Sequence, residues 1–292
     1  MDSQENGSSN VPSSAAIARL LRRYGLSPRH RLGQNFLVDP RVLEAILAAA
    51  DLAPEDVVLE VGPGLGVLTE ALAARAGAVM ALELDPGLLG ILRERLAERK
   101  NVRLIHGDAL KEDLAALLDE AADGGPGCSK VVANLPYYIT TPFLMRLLEE
   151  TPGWERAVLM VQREVADRLL ASPGGKDYGV LTLSVRYHAR AELVTPVSRR
   201  AFWPSPEVES AVVRLFRRQQ PPVPASPRTL FACIRAGFSQ RRKTLANALG
   251  AGFGRERAAA ALEAAAIDGR RRAETLSLEE FSAVAIALGQ EP

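Results

Sequence analysis

Short apolar runs alternate with stretches of helical spacing between residues 57 and 170. Each run has the length of a buried strand, and each is followed by a segment in which apolar residues recur every three or four positions. The runs are VVLEV (57–61), AVMALEL (78–84), VRLIHG (102–107), KVVANL (130–135) and AVLMVQ (157–162). Strand–helix alternation of this kind predicts a doubly wound parallel sheet. A helix is predicted ahead of the sheet, capped by Ser13–Ser14, with an apolar face of Ile17, Leu20, Leu21 and Tyr24.

The pattern changes beyond residue 170. Residues 185–197 (VRYHARAELVTPV) and 208–216 (VESAVVRLF) predict an antiparallel pair of strands that flank RRAFWPSP. A proline-rich stretch, QQPPVPASP (219–227), then leads into a segment of purely helical pattern. We therefore expect three parts: a disordered tail over 1–13, a Rossmann-like domain over 14–218 and a helical domain over 219–292.

Composition restricts the class of protein. The 292 residues are 47% hydrophobic, and no apolar run approaches the ~18 residues of a membrane helix. The opening MDSQENGSSNVPSS lacks the basic and apolar regions of a signal peptide. Cys128 and Cys233 stand 105 positions apart, with no CxxC or Cys/His cluster around them. We therefore expect a cytoplasmic protein with no disulfide framework and no metal site.

Charge is divided unevenly along the chain. Residues 186–292 carry 17 Lys+Arg against 10 Asp+Glu, a balance of +7, whereas the rest carry 19 against 25, a balance of −6. A basic C-terminal region favours a polyanionic partner, although a solvated helix face would have the same composition. Within it, Arg241, Arg242 and Lys243 follow an apolar stripe of Phe231, Ile234 and Phe238 at helical spacing. We expect this basic helix to be available to the phosphates of such a partner.

A glycine-rich turn, Gly62-Pro63-Gly64-Leu65-Gly66, joins the first predicted strand to a helix. Glu83 closes the second strand and Asp108 follows the third, so both acids fall at the edge where ligands bind in such folds. Carboxylates there can bind a ribose diol and an adenine amino group. A tight turn without a ligand and an NAD-linked dehydrogenase are the alternatives. The spacing here is GxGxG, however, and the dinucleotide fingerprint is GxGxxG.

This arrangement, E-x-G-x-G-x-G from Glu60 followed by Glu83 and Asp108, resembles the class I S-adenosylmethionine-dependent methyltransferases. In that class the glycine loop holds the methionine part of the methyl donor, the acid of the second strand the ribose and the later Asp the adenine. The resemblance implies a Rossmann-like α/β fold with a seven-stranded, mostly parallel sheet, followed here by a small all-α C-terminal domain. It also implies S-adenosylmethionine as the methyl donor.

The fourth strand runs into Asn134-Leu135-Pro136-Tyr137, where a strand would ordinarily lead into simple turn residues. Adenine N6 is a poor nucleophile because its lone pair is delocalised into the ring. Acceptors at the Asn134 side chain and the Leu135 carbonyl would draw N6 toward tetrahedral geometry. Pro136 stiffens the turn, and Tyr137 offers a face on which a base can stack. The stretch therefore suits a flipped-out adenine, and a turn with buried tyrosines is the structural alternative.

The resemblance becomes closer with the stretches RLGQNFL (31–37), QREVADRL (162–169), YGVLTLSVRY (178–187), FWPSPEVESAVVRL (202–215) and FSQRRKTLANAL (238–249). Together with Asn-Leu-Pro-Tyr they resemble the KsgA family of 16S ribosomal RNA adenine dimethyltransferases. The family pattern implies that Phe202 stacks on the target adenine opposite Tyr137. It also implies that the methyl donor is held by Asn35, Leu37, Gly62, Glu83, Asp108 and Asn134.

The activity implied is dimethylation of N6 on two adjacent adenosines in the 3′-terminal hairpin of 16S ribosomal RNA. The expected partner is RNA within a 30S precursor, and the expected state is a monomer away from membranes. An erythromycin-resistance type of 23S adenine methyltransferase is the nearest alternative, since it shares QNFL and an Asn-x-Pro-Tyr motif. A non-catalytic assembly factor is the alternative of another class, and it predicts a broken glycine loop or Asn134 motif.

Overall fold

The computed structural model describes residues 11–122, 128–240 and 242–289. Its strands are β1 (Phe36–Leu37), β2 (Val57–Val61), β3 (Ala78–Glu83), β4 (Val102–His106), β5 (Ser129–Asn134), β6 (Trp154–Gln162), β7 (Ala189–Val197), β8 (Phe202–Trp203) and β9 (Ser210–Arg217). Its helices are α1 (Ser14–Arg23), α2 (Pro40–Ala50), α3 (Val67–Ala73), α4 (Pro86–Arg95), α5 (Leu114–Ala122), α6 (Thr140–Glu149), α7 (Arg163–Leu170), α8 (Val180–His188), α9 (Pro227–Phe238), α10 (Leu245–Phe253), α11 (Arg255–Ala264) and α12 (Leu278–Gly289). No helix in these ranges is long and apolar enough to cross a membrane.

Seven strands form one sheet in the order β4-β3-β2-β5-β6-β9-β7. The pairs from β4 to β6 are parallel, and β9 runs antiparallel to β6. Strand β2 is buried along its whole length, as expected for a parallel strand with both faces covered. The predicted fold class, a mostly parallel seven-stranded sheet with helices, is confirmed.

The register of the central strands fixes the position of the site. Val61 of β2 lies opposite Leu82 of β3 on one side and Ala133 of β5 on the other. These three strands run parallel, so their carboxyl ends open at the same edge of the sheet. The glycine-rich turn, Glu83 and Asn134 each follow or close one of them and are therefore brought to that edge.

The structure differs from the sequence pattern at the end of α8 and at one short pair of strands. Residues 185–188 are predicted as part of a strand, but they form the end of helix α8, where Val185 and Tyr187 are buried. The strand begins only at Ala189. The second difference is the antiparallel pair β1–β8, which the sequence pattern does not predict. It joins Leu37 to Phe202 and Phe36 to Trp203, and two-residue strands give no periodic signal.

The chain is divided into two compact units whose boundary is interleaved. The first unit extends to Ala166 and resumes over Glu192–Arg217, which supply the last strands of the sheet. The second unit contains Asp167–Ala191 and the chain from Arg218 onward. The predicted boundary at 218 is therefore wrong for residues 167–191. Tyr178, Leu183 and Tyr187 of that segment share a buried cluster with Leu230 and Phe231.

The predicted tail is described only from residue 11 on. Val11 is partly buried against the core of the first unit, and the Ser13 hydroxyl accepts a hydrogen bond from Ala16 N at 3.3 Å. Ser13 is thus the N-cap of α1, as its sequence predicts. Residues 1–10 of the tail lie outside the described residues.

Candidate active site

A cavity of about 1130 Å³, counted with the open solvent at its mouth, lies at the carboxyl edge of the sheet in the first unit. The site residues predicted there from the sequence all line it. They are Asn35, Leu37, Gly62, Glu83, Asp108, Asn134, Leu135, Pro136, Tyr137 and Phe202. Methyl-donor residues and target-base residues of the prediction therefore share one concave site.

The glycine-rich turn borders the cavity with its backbone. Gly62, Gly64 and Gly66 have φ angles of +70°, +59° and +80°, which L side chains rarely adopt. A Cβ built on Gly64 would lie 3.5 Å from the Phe36 ring, and one on Gly66 would lie 3.0 Å from Leu92 Cδ2. The turn therefore presents backbone to the cavity at the start of α3, which suits close approach by a ligand.

Glu83 is held by backbone donors from both sides. Its Oε2 accepts from Gly64 N at 3.2 Å, and its Oε1 accepts from Asp85 N at 2.7 Å. Burial raises the pKa of this carboxyl, and these two hydrogen bonds oppose the rise. The carboxylate is thus fixed in orientation at the end of β3, where a ligand hydroxyl could donate to it.

Glu60, near the end of β2, is 1% exposed and also lines the cavity. The pKa of Glu60 is raised to about 8, chiefly by burial; the nearby Thr69 hydroxyl opposes the rise, and the charge of Glu83 adds to it. Its Oε2 atom has no hydrogen-bond partner among the described residues. A buried carboxyl with an unused acceptor can take a proton or a cationic ligand group.

Residues 29–37, which we call the strap, line the cavity with their second part, Leu32–Leu37. Asn134 Nδ2 donates to Asn35 O at 3.2 Å, and this bond leaves the acceptor Oδ1 on the other edge of the amide. A Cβ on Gly33, which has φ +61°, would lie 3.4 Å from Pro136 Cβ. The strap therefore packs directly on the Asn134–Tyr137 segment.

Tyr137 is anchored through its hydroxyl. The Oη atom lies 2.6 Å from Ser210 Oγ, and Ser210 is 1% exposed at the start of β9. Burial raises the pKa of Tyr137, so its hydroxyl stays neutral near pH 7. Phe202 also lines the cavity, but it is only 4% exposed and packs in the core of the unit. Tyr138 is the exposed ring at the mouth, with 51% of its surface accessible.

The predicted basic helix is a turn in the part that the structure describes. Helix α9 ends at Phe238 and α10 begins at Leu245, so Arg242 and Lys243 lie between them, both exposed. Lys243 N donates to Gln240 O at 3.0 Å, which closes the turn. Arg241 lies outside the described residues. The prediction of a helix is therefore wrong at 242–243.

Several residues of the site are not predicted from the sequence. Gln34 and Ser210 lie in stretches that carry the family resemblance, yet their polar partners, Asp85 and Tyr137, are far away in sequence. In the sequence Glu60 is the acid that precedes the glycine-rich turn, but only its burial in the structure indicates a role in the site. Among the described residues, no group of three or more His, Cys, Asp or Glu side chains could hold a metal ion.

The sheet order, the positive-φ glycine turn and the acids at neighbouring strand ends define a class I S-adenosylmethionine-dependent methyltransferase fold. A dimethyladenosine transferase from Plasmodium falciparum has a similar structure, with a TM-score of 0.73 and 26% identity over 85% of this chain and 95% of that one. The 23S rRNA methyltransferase ErmE gives a TM-score of 0.66 and 30% identity over 88% of this chain and 100% of that one.

The chain belongs to the ribosomal RNA adenine dimethylase family, whose model, "Ribosomal RNA adenine dimethylase", matches residues 25–290. Two similar relatives bear the name ribosomal RNA small subunit methyltransferase A. The protein from Pelotomaculum thermopropionicum is 49% identical over 94% of this chain and 96% of its own length. The protein from Moorella thermoacetica is 50% identical over 92% and 95%. The family resemblance seen in the sequence is thereby confirmed.

The state of Glu60 gives a prediction about stability. The raised pKa means that the folded protein holds a proton which the unfolded chain releases above pH ~4.5, so this contribution is complete at low pH and declines as the pH rises toward 8. The decline is at most about 1.4 kcal/mol per pH unit. Glu60→Gln should remove it. Urea unfolding of the ligand-free proteins from pH 5 to 8 measures the difference, with exposed Glu44→Gln as the control. Parallel curves for the parent and Glu60→Gln would contradict this assignment.

Proposed function

We propose that the protein transfers methyl groups to N6 of two adjacent adenosines in the 3′-terminal hairpin of 16S ribosomal RNA. The observation that carries this proposal is the convergence of the glycine turn, Glu83 and Asn134–Tyr137 on one cavity in a member of the dimethylase family. The substrate RNA follows from relatives about half identical in sequence that are named for the small subunit.

The residues present fit S-adenosylmethionine, which the family implies as the methyl donor. The turn at Gly62–Gly66 would accept its methionine part, Glu83 its ribose hydroxyls and Asp108 its adenine amino group. Glu60, which holds a proton near neutral pH in the ligand-free protein, would release it on binding and pair its unpartnered oxygen with the methionine ammonium. When bound, the donor would supply a methyl group on a sulfonium, with the neutral thioether S-adenosylhomocysteine as the leaving group.

The target adenine would be bound by the Asn134–Tyr137 segment. Because Asn134 Nδ2 is engaged by Asn35 O, the side-chain oxygen is oriented to accept from the N6 amino group. Leu135, whose N–H donates to Met160 O, would offer its carbonyl to the second N6 hydrogen. The Tyr137 ring would stack on the base and stabilise positive charge as it develops on N6. Phe202 would close the opposite face.

The second unit would contribute RNA affinity through Arg242 and Lys243, together with Arg241. Both described side chains are exposed in a turn, where they can reach phosphates without disturbing a helix. We propose that the enzyme acts as a monomer. We place the enzyme in the cytoplasm, on a precursor of the 30S subunit, because that is where such RNA is assembled.

A prediction about turnover tests the activity and its acceptor together. The parent, incubated with labelled methyl donor and a mixture of unmethylated 30S particles and free 23S RNA, should modify two adjacent adenosines near the 3′ end of 16S RNA. Asn134→Ala should lower turnover about 100-fold or more, since it removes an acceptor used most in the transition state, while RNA affinity stays near the parent value. Exposed Asn247→Ala is the matched control. Label in 23S RNA alone would favour the activity for which ErmE is named, and near-parental turnover of Asn134→Ala would exclude the acceptor role.

The Tyr137–Ser210 bond predicts a coupled pair of effects. Ser210→Ala and Tyr137→Phe should each reduce single-turnover rates about two- to tenfold, because each releases the ring from the same anchor. The double variant should be no slower than the slower single variant, whereas Tyr137→Ala, which removes the stacking face, should be slower still. Ser282→Ala, a buried serine of the second unit, is the control. Additive losses in the double variant would mean that the bond does not orient the ring.

The exposed basic turn gives a prediction about RNA affinity. Replacing Arg242 and Lys243 together by Ala should weaken 30S binding and reduce the slope of log affinity against log salt by about 0.7 to 0.9 for each phosphate that the variant no longer neutralises. Filter binding across a salt series measures both quantities. The control pair is Arg228→Ala with Arg270→Ala, which removes the same charge from exposed sites of the same unit. Equal losses in both pairs would indicate a diffuse charge effect without a specific phosphate contact.

A further inference from the structure

Asp85 is a buried carboxylate beside the cavity that the proposed chemistry does not use. It is 3% exposed and caps the N-terminus of α4, where its Oδ1 accepts from Gly87 N at 2.9 Å. Its own N–H is the donor that holds Glu83 Oε1 at 2.7 Å. Asp85 is therefore fixed by the helix and in turn orients the carboxylate proposed to bind the ribose.

The same carboxylate binds the strap. Asp85 Oδ1 accepts from Arg29 Nη1 at 2.8 Å, and Oδ2 accepts from Gln34 Nε2 at 2.7 Å. The Gln34 side chain is itself oriented, because its Oε1 accepts from Arg29 N at 2.8 Å. The nitrogen of the Gln34 side-chain amide thus has an acceptor, and the amide oxygen and both oxygens of the Asp85 carboxylate each have a donor.

With these bonds the strap is attached to the segments that follow two different strands. On one side Asn35 O and Gly33 contact Asn134 and Pro136, which follow β5. On the other side Gln34 binds Asp85, which follows β3. Residues 33–35 therefore connect the ends of two strands that are separated in the sheet by β2.

We propose that Gln34 and Asp85 are positioning residues whose mutual hydrogen bond sets the affinity for the methyl donor. The inference rests on the proposed function. The backbone N–H of Asp85 holds Glu83, and the side chain of Asp85 holds the strap. Glu83 and the strap, which both border the proposed donor site, are therefore held in one geometry before the ligand binds. A preorganised site loses less conformational entropy on binding, and loosening either Glu83 or the strap weakens affinity with little effect on the transfer step once the site is filled.

This pair can be tested by exchanging the carboxylate and the amide between positions 85 and 34. Asp85→Asn keeps an N-cap of equal quality, but it sets an amide NH₂ against the NH₂ of Gln34. Gln34→Glu sets a second carboxylate against that of Asp85. In the double variant the new amide at 85 donates to the new carboxylate at 34, whose other oxygen still accepts from Arg29 N, and the guanidinium of Arg29 still has a negative charge beside it.

The measurement is the dissociation constant of S-adenosylhomocysteine by calorimetry, with thermal unfolding of each ligand-free protein. Each single variant should bind about tenfold more weakly, and the double variant should return to within about threefold of the parent. Turnover at saturating methyl donor should stay near the parent value in all three. Asp51→Asn is the matched control, because it weakens a carboxylate–arginine pair with Arg156 that does not border the cavity.

The outcomes separate this inference from the proposed function. A parent protein that fails to bind S-adenosylhomocysteine would overturn the function on which the inference rests. A parent that binds it, with single variants of unchanged affinity, would overturn the positioning role alone. A double variant as weak as the weaker single variant would do the same, because the pair would then not act through this hydrogen bond. Recovery in the double variant supports the role even where both single variants lose thermal stability.

Discussion

The parallel pairing of β2 with β3 and β5 is the constraint on which the site depends. In-register parallel strands bring their carboxyl ends to one edge, so residues from distant parts of the chain meet there without any long connecting loop. The turn at Gly62 binds Glu83 through the backbone of Gly64, and Asn134 lies one strand away. A change of register in any of the three strands would separate the proposed donor site from the proposed acceptor site.

Much of this edge could be predicted from sequence, because strand ends are local signals. A run such as VVLEV predicts where its strand stops, and the residues after it are then placed at the ligand edge by topology. Glu83, Asp108 and Asn134 are assigned in this way, and all three line the cavity. Glycine spacing adds the conformational requirement at Gly62–Gly66, whose positive φ angles the structure contains.

The features that could not be predicted depend on partners distant in sequence. Ser210 and Tyr137 meet only because β9 lies beside β6, and no pattern near Ser210 signals a tyrosine. The strap is attached by single side chains, which produce no periodicity. Residues 185–188 belong to a helix for a related reason. The composition of VRYH fits a strand, but the packing of Tyr187 against Phe231 favours the helix. Tertiary packing overrides local propensity at such positions.

The interleaved boundary of the two units has a consequence for the order in which the chain is made. Residues 167–191 leave the ribosome before β9, which the sheet of the first unit requires, and well before Leu230 and Phe231, which bury Tyr178 and Tyr187. A nascent chain therefore carries an apolar segment whose partners have not yet been synthesised, and it separates β6 from β9, the strand with which β6 pairs. Until translation reaches the last helices, that segment is the natural place for a chaperone to bind.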